Sequence, residues 1–589
     1  MKLKQISTWK AAADKSSIAV QFVVTLTDGA IVARFCGRSD ELVLSDDDGT
    51  ERACLPGLVS NLSAMEISAD PRTPGNPMPS LPPLRFDQGI ISEKFGLGDK
   101  FPQNVSTLRV EIALVCESLS WDDRIVIISG ARVNPTAVDH LPDGTVSFSL
   151  LDPLETGKVL LPRNVVDTDD MPAAWLTAID GEVRIQTNFN GAPFPICYGT
   201  IFRARPMKIF DDGGGTNSDE AQPIRRYIIA AGRVAATTAT LHRASSTIPI
   251  GYIDTVAGAT KSEYCDLTKT ILEAETQDGF LFSYVETDGS AVPAGELNGE
   301  EDPTLSPPKE VQAISFDATT GEEATLGHVI RDMIRRWTDI EIDDGLNASM
   351  ADVVHEFRSV PVSITIDGEG SDRATVAEIL DQRFSGSFPI GTARVGGSLR
   401  LMPFMHLMIP PGSGYQDPSV ELSIGDECSL EGSIRESGEI FNAFEVRYKM
   451  RGDDGAWDAL PLLFNSDTDG DAAVSEGRYG RREAPVVELY DVVDSAGAGA
   501  VLSFLRAVHL EPWFETRLSC PIYLSWLLPG DKVRMRYGGE PGDTQEERIG
   551  NSCTRNRSTL ASDLSNSWRD AIVTSIRYGD NRFGVTVIF

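Results

Sequence analysis

The sequence predicts a mainly β fold with α+β parts, and three observations carry that prediction. First, aromatic and β-branched runs of strand length recur along all 589 residues, separated by Gly, Asp, Asn and Pro turns. Second, 52 glycines, 34 prolines and an apolar fraction of 41% describe a folded, turn-rich chain. Third, helical periodicity is confined to a few short segments. A chain of this length exceeds one core, so several domains, about four, are expected.

Residues 1 to about 68 alternate and turn: IAVQFVVTL, a turn at Thr27-Asp28-Gly29, IVARFCG, ELVLS, and a turn at Asp46 to Gly49. Six prolines between Pro71 and Pro83 then preclude ladder pairing, so this stretch reads as an extended arm. Strands resume with STLRVEIALVC, WDDRIVIISGARV and GTVSFSLLDPLETG. A sheet that starts, is interrupted and then finishes reads as one barrel or sandwich with an insertion.

The segment Asn190 to Val234 has the most specific order of features. Two β-type runs, Ile196 to Ile209 and Tyr227 to Val234, flank a Gly/Asp/Asn/Ser spacer and predict a hairpin. A Gly-x-Pro entry at Gly191 and a Pro-x-x-Tyr-Gly turn at Pro195 to Gly199 precede the first run's end at Arg205-Pro206. TILEAETQDGFLFSYVETDGS adds another hairpin, and Pro293 to Glu310 reads as an acidic, proline-bearing linker. Leu326, Val329, Ile330, Met333, Ile334 and Trp337 line one helical face, with a capping box expected from Thr319 or Thr320 and Glu322 or Glu323. A second helix is expected over Thr375 to Phe384, followed by a hairpin turning at Gly396-Gly397. Strand runs VELSI, FNAFEVRYKM and PVVELYDVV lead to a third helix at Ala498 to His509. Pro529-Gly530-Asp531 turns into the strand after it, and Gly579 to Arg582 turns between the last two strands.

Charge and chemistry narrow the function classes. The chain has 53 basic and 87 acidic side chains, a formal net charge of -34, which disfavours tight nucleic-acid binding. The lysines of MKLKQISTWKAAADKSS have no apolar run behind them, so no signal peptide is expected there. No apolar stretch reaches the roughly 18 residues of a membrane span. Eight dispersed cysteines without a C-x-x-C pattern read as small buried hydrophobes of a reducing compartment. Six histidines, and no H-E-x-x-H, G-x-S-x-G or Walker-type motif, point away from an enzyme. Gly213-Gly214-Gly215 is flanked by Asp211, Asp212, Asp219 and Glu220, whose charge would repel a phosphate.

One metal motif stands out. Asn465, Asp467, Asp469, Gly470, Asp471 and Glu476 match a calcium-loop spacing. Pro461, Gly477 and Gly480 around it argue against the helices that an EF-hand requires, leaving an exposed acidic hairpin loop as the other reading. Calcium is the one cofactor the sequence suggests.

Trp121 to Val126, Ser149 to Leu154, the Gly191 to Ile209 run, the helix-then-hairpin unit and the closing Pro529-Gly530-Asp531 strand occur in an order that resembles the tail hub proteins of tailed bacteriophages. The resemblance covers roughly residues 105 to 235 and 320 to 589. It implies two β-barrel-like tail-tube domains bracketing a smaller α+β region. The implied units are 1–165, with a Pro-rich insertion at about 69–86; 166–245; 246–425, containing the acidic loop 293–310; and 426–589. It also implies a non-enzymatic virion protein, assembled in the host cytoplasm, that forms a homotrimer in the tail tip or baseplate. Implied partners are a distal tail or tail tube protein, a central spike or fibre, and the tape measure protein, with genomic DNA passing through without specific binding. Two further readings remain: another tail-tip or distal tail protein, and a secreted-type carbohydrate-binding β protein, which clustered exposed tryptophans would support.

Overall fold

A computed structural model describes residues 2–13, 19–60, 62, 65–68, 83–95, 107–151, 160–176, 185–211, 224–242, 266–287, 311, 313–338, 360–367, 373–385, 388, 390–395, 398–403, 420–425, 427–432, 435–452, 455–537, 569–579 and 582–588. The proline arm between Pro71 and Pro82, the Pro293–Glu310 linker, the Gly213–Gly215 spacer, His355, His406, Cys265, Cys553 and Trp568 lie outside the described residues. The fold is mainly β, built from barrel-like and half-barrel sheets.

The first barrel is assembled from β1 (Val20–Asp28), β2 (Ile31–Cys36), β3 (Leu42–Ser45), β4 (Glu51–Pro56), β6 (Leu84–Asp87), β7 (Arg109–Cys116), β8 (Ile125–His140) and β9 (Thr145–Leu151), in the order β3-β4-β2-β1-β7-β8-β9-β6. The expected interruption is real: β1 pairs with β7 across the excursion. The segment after β4 nearly closes the ring. Val59 N–H donates to Arg85 O (2.8 Å), Asp87 N–H to Gly57 O (2.8 Å) and Leu58 N–H to Cys36 O (3.1 Å), which links β6 to β2 through this segment and leaves the barrel nearly closed, with β3 at an edge. Phe35, Phe86 and Phe148 meet across this closure with ring centroids 5.2 and 5.3 Å apart.

The second eight-stranded sheet runs β11-β12-β15-β14-β13-β16-β10-β17. Its strands are β10 (Ile196–Ala204), β11 (Met207–Asp211), β12 (Arg225–Ala231), β13 (Thr238–His242), β14 (Asp266–Glu275), β15 (Leu281–Thr287), β16 (Ala313–Asp317) and β17 (Ser363–Ile366). Here the expected hairpin is corrected. The run Ile196 to Ile209 is two strands: β11 pairs with β12, whereas β10 pairs with β16 and β17. The break has local causes. The β10 ladder shifts register between Ile201 and Ala204, Arg203 adopts a left-handed φ of 52°, and Pro206 offers no N–H. Because β10 and β11 are consecutive in the chain yet lie near opposite ends of the sheet, the sheet must curl. Ala231 N–H donates to Pro195 O at 2.7 Å, closing β12 onto the start of β10. Ile201, Tyr227, Leu241, Val285, Ile314 and Phe316 share the enclosed core.

Gly199 is also corrected from a turn to a strand position, paired with Ser363 of β17. Its N–H donates to Thr319 Oγ1 at 2.8 Å, so Thr319 serves this strand instead of capping a helix. The predicted helix spans Leu326–Trp337 with Thr325 as its N-cap, and a 3-10 turn, Gly321–Ala324, occupies the expected capping box. The second helix is α-helical only over Val376–Ile379, where Thr375 and Glu378 do form a capping box, and continues as a π-turn over Leu380–Ser385. The hairpin behind it is present as β18 (Ile390–Val395) paired with β19 (Ser398–Pro403).

The C-terminal part forms a half-barrel ordered β20-β27-β28-β29-β26-β21, with β22 also on β26. These strands are β20 (Val420–Ile424), β21 (Ser429–Leu430), β22 (Arg435–Ser437), β26 (Trp513–Pro521), β27 (Lys532–Tyr537), β28 (Arg569–Tyr578) and β29 (Arg582–Ile588). A small sheet of β23 (Phe444–Tyr448), β24 (Leu462–Phe464) and β25 (Val487–Leu489) and the helix Ser495–His509 complete it. Asp494 caps that helix, which therefore starts three residues before the expected Ala498. One apolar core runs from the first barrel into this half-barrel. The three-residue strand β5 (Glu66–Ser68) leaves the first barrel and pairs with β28, and Ser575 Oγ donates to Glu66 Oε1 at 2.6 Å. The helix Lys2–Ala13 locks the same seam. Trp9 is buried and donates to Asp123 O at 2.8 Å, while Lys10 pairs with Glu427 at 2.6 Å.

Candidate functional site

The calcium-loop residues follow β24. Asn465 Oδ1 accepts the Asp467 N–H at 2.9 Å, and Asn465 O accepts the Asp469 N–H at 2.9 Å, so the loop is held by its own backbone. A helix does follow, over Gly470–Tyr479, against the expectation of an exposed hairpin loop. Asp469 is its N-cap, accepting from Asp471 N at 2.9 Å and Ala472 N at 3.4 Å. Gly477 is tolerated inside because it is exposed, where glycine costs only about 1 kcal/mol relative to alanine. Arg506 from the neighbouring helix lies 3.2 Å from Asp469 and 3.4 Å from Asp471, stacked on Phe464 at 4.5 Å. Glu476 sits two helical turns beyond the cap, about 10 Å along the axis. Among the described residues no group of three or more His, Cys, Asp or Glu is placed to hold a metal ion.

Asp469→Ala is expected to cost about 1 kcal/mol through the lost cap, read by chemical denaturation. The loss should be the same with calcium or with chelator present. A calcium-dependent stabilisation that disappears in Asp469→Ala would instead place the ion in this loop.

Titratable and nucleophilic groups are placed structurally. Burial pushes the thiols of Cys54 and Cys197 up to about 12, which makes them poor nucleophiles. Cys197 Sγ donates to Ile229 O at 3.4 Å across the second barrel's seam. That seam carries a cleft of about 50 Å³ lined by Pro195, Cys197, Arg205, Met207, Ile229 and Asp367 among others, room for a few waters only. His242 lies 2.8 Å from Ser315 Oγ, but that oxygen also accepts the Arg203 N–H at 2.9 Å. His509 Nδ1 lies 3.0 Å from Glu439 O, and burial lowers its pKa. Trp9, Trp121, Trp175 and Trp513 are buried, and Trp337, Trp457 and Trp526 are half-buried. The described tryptophans thus form no exposed cluster of the kind a carbohydrate platform uses.

The sheet of β23, β24 and β25 leaves an outward face that is partly apolar. Leu463 stands opposite Glu445, and Leu460, Val486 and Tyr490 are exposed nearby, with Tyr490 stacked 5.6 Å from Trp457. The ion pairs Arg447–Glu445 (2.7 Å) and Lys449–Asp458 (2.9 Å) accompany them. No helix among the described residues is long and apolar enough to cross a membrane.

No protein-family model matches the chain, and no curated protein does. Among solved structures it is similar to the prophage tail protein gp18 of Listeria monocytogenes EGD-e, with 10% identity over 67% of this chain and 87% of that one and a TM-score of 0.24. It is also similar to a tail protein of Neisseria meningitidis MC58, with 9% identity over 67% and 97% of the two chains and a TM-score of 0.25. A p2 virion baseplate in activated conformation follows, with 10% identity over 72% and 96% and a TM-score of 0.12. Likenesses this loose carry no functional argument.

Proposed function

We propose that this protein is a structural component of a bacteriophage tail, and within it the hub of the tail tip or baseplate. The observation that supports this reading is that a single chain carries two nearly closed, barrel-like sheets, one within residues 20–151 and one within 196–366, beside a C-terminal half-barrel. A homotrimer of such chains presents six barrels, the number needed to pass from a sixfold tail tube or distal tail protein to a threefold spike or fibre. The first barrel and half-barrel share one core, so a subunit of this kind is rigid enough to transmit that symmetry. The tape measure protein is the partner proposed for the lumen before DNA passage. The net charge of -34 fits a channel lined by carboxylates, through which duplex slides without the counterion release that makes DNA adhere to basic proteins.

The test is the mass and shape of the purified protein. Light scattering is expected to give three times the 63.9 kDa chain mass, and negative-stain images a ring of six similar lobes around a hole. A monomer that binds duplex DNA with a steep salt dependence would overturn both the hub reading and the acidic lumen.

A further inference from the structure

On the first barrel's outer wall Arg34 has a buried Nε without a partner among the described residues. On that wall β2, β1 and β7 place Arg34, Thr25 and Glu111 in one cross-strand row, so their side chains share a face. Arg124 pairs with Glu111 at 3.1 Å, and Arg52 pairs with Asp46 at 2.5 Å. Arg34 stacks on Trp121, its guanidinium 5.1 Å from the ring centroid, and Arg124 lies 4.7 Å from the same ring. Among the described residues Arg34 has no hydrogen-bond acceptor, and its Nε is fully buried without one. The buried Thr25 Oγ1 beside it also has no partner. Burial, then the nearby Arg52 and Arg124, lower the Arg34 pKa, opposed by Cys54 and Glu111.

The geometry points to a receptor for a carboxylate, supplied by an aspartate or glutamate of a partner polypeptide and held by the Arg34 guanidinium on the Trp121 face. A carboxylate suits the planar fork of arginine. One feature favours a polypeptide over a free ion. Val32, two residues along β2 on the same face as Arg34, is 47% exposed and offers an apolar contact beside the cation.

The experiment is calorimetric titration of the full chain with three probes at matched ionic strength: sodium acetate, a blocked Val-Glu-Val peptide and its Val-Gln-Val counterpart. The glutamate peptide is expected to bind at least tenfold more tightly than either of the others. Arg34→Gln should abolish that preference, and Arg34→Lys, which keeps the charge and loses the fork, should retain part of it. Arg34→Met serves as the folding control: thermal stability in chloride close to that of the parent shows that Arg34 is not simply a prop for Trp121. Acetate binding as tightly as the glutamate peptide overturns the polypeptide source. Equal binding of all probes, or a preference unchanged in Arg34→Gln, overturns the site.

Discussion

Gly199→Ala is expected to destabilise the second barrel by about 3–5 kcal/mol, enough to remove most folded, soluble protein. Two independent causes combine at this residue. Its φ is +72°, where an L side chain is strained, and an added Cβ would lie 1.6 Å from Val362 O. That oxygen belongs to backbone leading into β17, so no side chain can move aside to relieve the contact. The same residue is where β10 changes its pairing, with Gly199 facing Ser363 of β17 and Thr200 facing Asp317 of β16. Gly199 is also held on its other side by hydrogen bonds to Thr319 and Ala318, each 2.8 Å, which limit how far it can shift from Val362. Gly191→Ala is the control. It has a similar φ of +79° but nothing within 4 Å of the added carbon, so it should cost only about 1 kcal/mol. Denaturation midpoints that fall equally in the two variants would show that the close approach to Val362 is not what selects glycine at position 199.

What the sequence discloses and what it hides follow from the range of the interactions. The Leu326–Trp337 helix is legible because five of its periodic apolar residues are buried on one face. The β1–β2 and β28–β29 hairpins are legible because their turns lie next to the strands they join. The helix Lys2–Ala13 has almost no amphipathic pattern, since Trp9 is its principal anchor and that anchor binds residues from the first barrel and the half-barrel. β5 is three residues long and finds its partner 509 residues away, so no local pattern announces it. The run Ile196 to Ile209 reads as one strand because composition does not register the left-handed Arg203. At the metal motif, spacing alone does not separate a carboxylate that caps a helix, as Asp469 does, from one that binds an ion, because both follow the same local preferences. Arg34 showed no signal at all: its lack of an acceptor depends on strands brought together only by the barrel.

Arg383→Met should cost about 2–3 kcal/mol near neutral pH, by leaving a carboxylate uncompensated in the interior. Asp491, in the segment after β25, is buried against the start of β17, and Arg383 of the π-turn reaches it at 2.8 Å. Asp491 O accepts the Ser363 N–H at 2.7 Å and Arg383 Nη2 donates to Thr365 O at 3.5 Å, so the pair ties three elements together. The estimate is kept below that for a fully buried pair because the Arg383 side chain is 39% exposed and partly screened. Burial already holds the Asp491 carboxyl above its ordinary range, opposed by Arg383. Removing the arginine removes the opposition, so the folded protein keeps this proton to higher pH than the unfolded chain does. A raised folded-state pKa contributes stability below the unfolded value that is lost as pH rises through the folded one. The deficit of Arg383→Met relative to the parent is therefore larger at about pH 8 than at about pH 5. Asp491→Asn introduced into Arg383→Met should erase that pH dependence, because the group that titrates is gone. A deficit independent of pH, or one that grows toward acid, would mean that Arg383 acts through packing on the π-turn and not through the charge of Asp491.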